Sequence, residues 1–189
     1  MRFFALALLV GLGISLSAIG CSEPVAPIPA GGWATTFTHT AVTCMINAHN
    51  NGIGQVSQDG KPVLVSDGIA NANIKCTVNP KSGAFDVQAQ ALQNGKSLTI
   101  SVKGISKTAT QTAPATGTVS YVSTETADVF TSPGEAPCDF YFVEGTKETI
   151  SAGSIWVAFD CKKIADQNNT CGISGYAKFE NCDGTPPAE

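Results

Sequence analysis

The sequence predicts an all-β protein, an antiparallel β-sandwich (immunoglobulin-like or similar) stabilised by disulfides, and three observations lead there. Short runs rich in Val, Ile, Phe, Tyr and Trp recur along the chain, separated by Gly, Pro, Asn and Asp. Several of these runs alternate apolar with polar residues, the period that puts one side of a strand in a core and the other in water. Six cysteines, Cys44, Cys76, Cys138, Cys161, Cys171 and Cys182, are spread through the same region, and six can pair completely.

The strands follow in order. Residues 33–37, 41–48 and 63–65 are the first candidates. Residues 74–78 form the next, followed by a turn at Asn79, Pro80, Lys81, Ser82 and Gly83. Phe85, Val87, Ala89 and Ala91 then alternate with Asp86, Gln88 and Gln90. Asn94-Gly95 suits a tight hairpin turn because both residues tolerate positive φ, and Leu98, Ile100 and Val102 resume the alternation against Thr99, Ser101 and Lys103. Residues 117–122, 138–143, 154–161 and 172–182 complete the strand set. Residues 108–118 (TATQTAPATGT) lack large apolar side chains and read as a long loop, and residues 162–167 offer a helical turn. No solenoid repeat is evident.

Around this body, residues 33–182, lie three shorter segments. Residues 1–20 read MRFFALALLVGLGISLSAIG, one basic residue, an apolar run and then small residues, which is a secretory signal peptide. The run is short for a membrane-spanning helix, which needs about 20 residues, and no basic stop-transfer cluster follows it. Residues 21–32 (CSEPVAPIPAGG) carry three prolines and end in two glycines, a spacer in extended conformation that reaches on the order of 30 Å. Residues 183–189 (DGTPPAE) read as a disordered tail.

At the signal junction, Ala18, Ile19, Gly20 and Cys21 resemble the lipobox of bacterial lipoproteins, with Ala18 where that family more often has Leu. The resemblance implies that Cys21 takes a diacylglyceryl group, that the signal is cut before it and that the new amino terminus is acylated. Ser22 and Glu23 follow in place of the Asp that retains such proteins at the inner membrane, so the resemblance implies the outer membrane. Cysteine parity agrees, because setting Cys21 aside leaves an even number. Two or more acyl chains anchor stably where one does not. The C-terminal half, with its CDFYF, SIWVAFDC and GYAKFENC runs, is loosely similar to small cysteine-containing surface lipoproteins with β-sandwich bodies.

Six cysteines allow fifteen connectivities, and sequence does not choose among them. If Cys171 and Cys182 end one strand, eleven steps of about 3.3 Å hold them too far apart to bond to each other. One compatible set pairs Cys161 with Cys171 across a hairpin mouth, Cys44 with Cys76, and Cys138 with Cys182. Zinc is the rival use of these thiols, but no C-x-x-C occurs.

Chemistry-bearing residues are sparse. His39, Cys44 and His49 form H-x4-C-x4-H, whose members converge neither on a strand nor on a helix. No G-x-S-x-G is present. Asp139, Glu144, Asp160 and Glu180 lie on or near strands and read as outward polar positions rather than a glycosidase pair. Asp59-Gly60 and Asp67-Gly68 read as turns. The loop Asp166, Gln167, Asn168, Asn169 reads as turn chemistry rather than a calcium site, and Asn168, Asn169, Thr170 match a glycosylation sequon. Trp156, Phe159, Phe140, Phe142 and Phe179 read as core in preference to the lining of a ligand groove, with the odd spacing of Trp156 and Phe159 putting them on opposite faces.

A net charge of -4 with no basic cluster argues against nucleic acid as a partner. The sequence thus reads as a membrane-anchored envelope lipoprotein acting as a non-catalytic binding or structural module. Its expected partners are the lipid bilayer, through acylated Cys21, and an envelope protein or glycan; no cofactor and no metal is expected. The alternative is an envelope hydrolase, or a calcium-dependent carbohydrate binder, whose site forms only in three dimensions.

Overall fold

The computed structural model describes residues 26–38, 43–58, 60–126 and 128–184. The signal peptide, Cys21, His39 and Asp59 lie outside them, as does most of the expected tail. Twelve strands follow in chain order: β1 (Ala30–Thr38), β2 (His49–Ile53), β3 (Val65–Ser66), β4 (Asn73–Lys81), β5 (Ala84–Gln93), β6 (Lys96–Ile105), β7 (Ala115–Val122), β8 (Phe130–Thr131), β9 (Cys138–Tyr141), β10 (Thr149–Ser151), β11 (Ser154–Ala165) and β12 (Thr170–Glu180). A 3-10 turn at Ile69–Asn71 precedes β4.

All the strand pairs are antiparallel and join one sheet in the order β2-β1-β12-β11-β8-β7-β6-β5-β4, with β3 on β1, β10 on β11, and β9 between β11 and β7. The sheet folds over so that its two halves face each other across one core. Trp33 of β1 meets Tyr121 of β7 edge-on at 5.8 Å, and Phe37 packs 5.2 Å from Phe130 of β8. Gly31 shows how tightly the core closes, because a Cβ there would stand 2.6 Å from Phe179 Cδ1 on the neighbouring strand β12 and 3.1 Å from Ile74 Cγ2 of β4 in the facing layer. The all-β, disulfide-stabilised sandwich expected from sequence is the fold.

The β4–β7 meander follows the alternation. Ile74, Cys76, Val78, Val87, Ala89, Ala91, Leu98, Ile100 and Val102 all enter the core, which at roughly 1.5–3 kcal/mol per large apolar side chain gives the sheet its inward face. Asn94 and Gly95 turn with φ 50° and 76°, as their sequence requires. The preceding turn is tighter than expected, because β4 runs through Pro80 to Lys81 and only Ser82 and Gly83 (φ 49° and 83°) reverse the chain. Pro80 is tolerated because β4 is last in the sheet order, where a missing N–H breaks no ladder. Alternation fails once, where the register shifts between Phe85 and Val87. There Gly104 takes φ 70° and donates its N–H to Asp86 Oδ1 at 2.9 Å, a bulge that returns Ile105 to the core.

Several boundaries differ from the sequence reading. The spacer ends earlier, since Ala30, Gly31 and Gly32 pair with Glu180, Phe179 and Lys178. Two glycines side by side look like a linker, yet Gly31 is what the close approach of Phe179 and Ile74 demands, and a Cβ on Gly32 would stand 2.8 Å from Ile53 O. At the other end, Asp183 is held to β4 rather than loose: Val78 N–H donates to its carbonyl and its own N–H donates to Cys76 O, both at 3.0 Å. Residues 162–167 form no helical turn. β11 continues through them to Ala165 with a register shift between Cys161 and Ile164, which puts Ile164 in the core. The long loop is shorter, since β7 begins at Ala115. Residues 43–48 form no strand; they carry Cys44 to its partner on β12, and His49 opens β2.

The six cysteines among the described residues pair completely but in a different set: Cys44–Cys171, Cys76–Cys182 and Cys138–Cys161. Cys171 and Cys182 do go to different partners, as strand length requires. The hairpin staple between Cys161 and Cys171 fails because the register sets Cys161 opposite Ile173 and Cys171 opposite Ile164. Cys161 instead faces β9. Phe159 pairs Phe140 and Asp160 pairs Asp139, so the next step along the ladder sets Cys161 against Cys138, with Cα atoms 4.2 Å apart. Cys182 follows β12 out to β4, where Thr77 and Asp183 form a parallel bridge beside Cys76.

Candidate binding site

The half of the sheet containing β9, β11, β12, β1 and β2 sends every second side chain outward, and the registers set these into rows. Tyr141, Ala158, Tyr176, Ala34 and Gly52 form one row. Asp139, Asp160, Ser174, Thr36 and Asn50 form the next, closed at its end by the Thr36 hydroxyl donating to Asn50 Oδ1 at 3.0 Å. Two half-buried tyrosines thus flank a small residue, Ala158. With strands about 4.8 Å apart, their backbones stand roughly 9.6 Å from each other, which leaves a slot above Ala158.

That slot belongs to a groove of about 400 Å³. Val56 and Ser57 wall one side, and Gln58 Oε1 accepts the Tyr176 hydroxyl at 3.0 Å, tying the 56–58 segment to the sheet. Thr36, Asn50 and Ser174 supply hydrogen-bonding groups at the rim. None of the described residues lining the groove is charged; the Asp139 and Asp160 carboxylates belong to the adjoining row. Burial, with a further contribution from Asp160, pushes the Tyr141 hydroxyl above its ordinary range, so it stays protonated and able to donate.

The other residues singled out from sequence take structural roles. Trp156 and Phe159 do lie on opposite faces and both are buried. Phe159 joins Phe140 in the core at 6.0 Å, while Trp156 lies on the outer side with Lys178 Nζ 4.8 Å above its ring. Phe140, Phe142 and Phe179 are core residues. Asp67 accepts the Ile74 N–H at 2.8 Å. Asp166 accepts the Asn168 N–H and holds the Asn169 side chain, whose own oxygen accepts the Met45 N–H at 2.9 Å. Burial raises the Asp166 carboxyl, but these hydrogen bonds prevail and hold it below its usual range; its oxygens are spent on the turn. Glu180 pairs with Lys178 at 2.7 Å, and Glu144 is an exposed turn residue.

His49 meets a serine that no sequence motif marked. Its Nδ1 lies 2.8 Å from Asn47 O, and its Nε2 lies 2.9 Å from the Tyr121 hydroxyl and 3.2 Å from Ser123 Oγ. A Ser–His contact is a nucleophile–base pair only where the oxygen is accessible. Ser123 is 3 % exposed, and its oxygen accepts the Glu125 and Thr126 N–H groups at 3.2 Å each, so it organises its turn. Cys44 is bonded to Cys171, which removes it from any ligand set with His49. Among the described residues no group of three His, Cys, Asp or Glu could hold a metal ion.

Sequence reasoning missed the groove. Tyr141 and Tyr176 lie far apart in the chain, and only the registers of β9, β11 and β12 bring them to either side of Ala158. Fold and site together define a disulfide-clasped antiparallel β-sandwich with an uncharged, tyrosine-flanked groove on one outer face. No protein-family model, curated protein or solved structure matches the chain.

Proposed function

We propose that the protein is a lipid-anchored module of the bacterial envelope that binds a partner through the outer face of β11, β12 and β1. The groove between Tyr141 and Tyr176 carries this reading, since it offers contact area and hydrogen-bonding groups together in one place. The signal peptide and the lipobox at Ala18–Cys21 support export and anchoring, with the outer membrane as the destination. Three disulfides suit an oxidising compartment.

The anchor and the body are close-coupled. Asn181 Nδ2 donates to Ile28 O and Asp67 N–H donates to Pro29 O, so the chain is already held to the domain at Ile28. The seven steps from Cys21 to Ile28 reach about 23–25 Å at full extension, shorter than the spacer read from sequence. The β1 entry end, with exposed Ile28 and Ile69, therefore stays near the lipid surface.

Membrane fractionation of Cys21→Ala tests the anchor. Transfer of the variant from the membrane to the aqueous fraction, with its three disulfides intact, is expected; retention in the membrane fraction would refute lipid anchoring.

A further inference from the structure

The chemistry of the groove lining narrows the ligand, and we infer that it takes a neutral saccharide. This inference rests on the binding role proposed above for the same face. An anionic ligand such as a phosphate ester needs Lys, Arg or a helix N-terminus to offset its charge, and a cationic one needs carboxylates; the lining itself holds neither, the Asp139 and Asp160 carboxylates standing one row away from the two tyrosines. A wholly apolar ligand would strand the Ser174 and Tyr141 hydroxyls without partners as it displaced their water, a cost of about 1–3 kcal/mol for each group left unsatisfied. What remains is a ligand with apolar faces, a rim of hydroxyls and no charge.

A pyranose ring has that distribution. Its C–H face lies against an aromatic ring while its equatorial hydroxyls point outward in the ring plane, and the slot places one tyrosine on each side of the small Ala158 floor. Asn50 offers an amide N–H, because its oxygen already accepts from Thr36. The Tyr176 hydroxyl spends its proton on Gln58, so its oxygen accepts from a sugar hydroxyl. The Tyr141 hydroxyl, kept protonated, donates. The groove thus presents donors and acceptors spread across the sheet from β9 to β2, matching hydroxyls that act as both. Its open shape and its volume of about 400 Å³ suit one or two sugar units within a longer chain.

The test uses the full-length chain extracted in a detergent without a sugar headgroup, titrated with maltose, cellobiose and N,N′-diacetylchitobiose and followed by ligand-observed and protein-observed NMR. At least one of these disaccharides should bind, with a weakening of roughly tenfold or more in Tyr141→Ala and in Tyr176→Ala, equivalent to about 1.4 kcal/mol. Tyr141→Phe should retain most of the binding, since it keeps the ring, and the exposed Asn50→Ala should weaken it without affecting folding. Glucose 6-phosphate should bind more weakly than the neutral sugars. The inference is overturned if none of the three binds, if binding survives both tyrosine-to-alanine changes in folded protein, or if the phosphate ester binds better. The Cys21→Ala chain should bind sugar as the parent does, so loss of anchoring and loss of saccharide binding are read separately.

Discussion

Breaking the Cys76–Cys182 bridge by the double change Cys76→Ala/Cys182→Ala should lower stability by about 4 kcal/mol. The bridge closes a loop with a sequence separation of 106 residues. With Cys44–Cys171 still closed the path between the two cysteines shortens to roughly 44 residues, and in the chain-entropy relation a loop of that length loses about 13 cal/mol/K on cross-linking, or about 4 kcal/mol at room temperature. The side chains are 6 % and 8 % exposed, at the margin of the core, so replacing them leaves little cavity to add to that figure. The bridge also holds the end of the chain to β4, where Val78 N–H reaches Asp183 O at 3.0 Å and Cys182 N–H reaches Gly153 O at 2.9 Å. Urea unfolding at neutral pH measures the loss. With a slope of about 2 kcal/mol/M, the midpoint should fall on the order of 2 M, and hydrogen exchange should show the Val78 and Cys182 amides losing protection ahead of the β5–β6 hairpin. A midpoint shift below about 0.3 M, or an unchanged Val78 amide, would refute the clasp.

Two further outcomes follow from the packing. Gly31→Ala should destabilise by about 1–3 kcal/mol, since its Cβ would meet Phe179 at 2.6 Å, and more than Gly83→Ala, where φ is 83° but space is open and the cost is about 1 kcal/mol; thermal melts that reverse this order would count against the close packing of Phe179 over Gly31. Glu148 is buried with Oε1 unpartnered, and burial lifts its carboxyl above the ordinary range despite the 2.8 Å hydrogen bond from Val143 N–H. A raised folded-state pKa means that the stabilising contribution is complete below the unfolded value and is lost as pH rises through the folded one. Glu148→Gln, which keeps an oxygen for Val143, should therefore be more stable than the parent at pH 7, with the gap closing below about pH 4.5; an equal or lower melting temperature at pH 7 contradicts this.

The fold was legible where side-chain period and turn chemistry agree. Alternation from Phe85 to Val102 and the Asn94-Gly95 turn specify the β5–β6 hairpin locally, with no help from the rest of the molecule. The Gly31-Gly32 pair and residues 162–165 were not legible, because a glycine pressed between layers and a bulged strand both look like breaks in a one-dimensional pattern. One long-range signal was present in the letters themselves: Cys138-Asp139-Phe140 and Phe159-Asp160-Cys161 are mirror images, as an antiparallel pair of like residues must be, and the register aligns them so. Reading that mirror would have given the Cys138–Cys161 bridge. The groove had no such mark, since Tyr141, Ala158 and Tyr176 become neighbours only through pairings that no local rule specifies.

The central claim, an exported, lipid-anchored domain clasped by three bridges, meets its most direct test in the intact mass of protein extracted from membranes, measured before and after reduction. The account predicts a chain beginning at Cys21 that carries diacylglyceryl and acyl mass and gains six protons on reduction of its three disulfides. A chain without acyl mass, or one whose mass does not change on reduction, would contradict it.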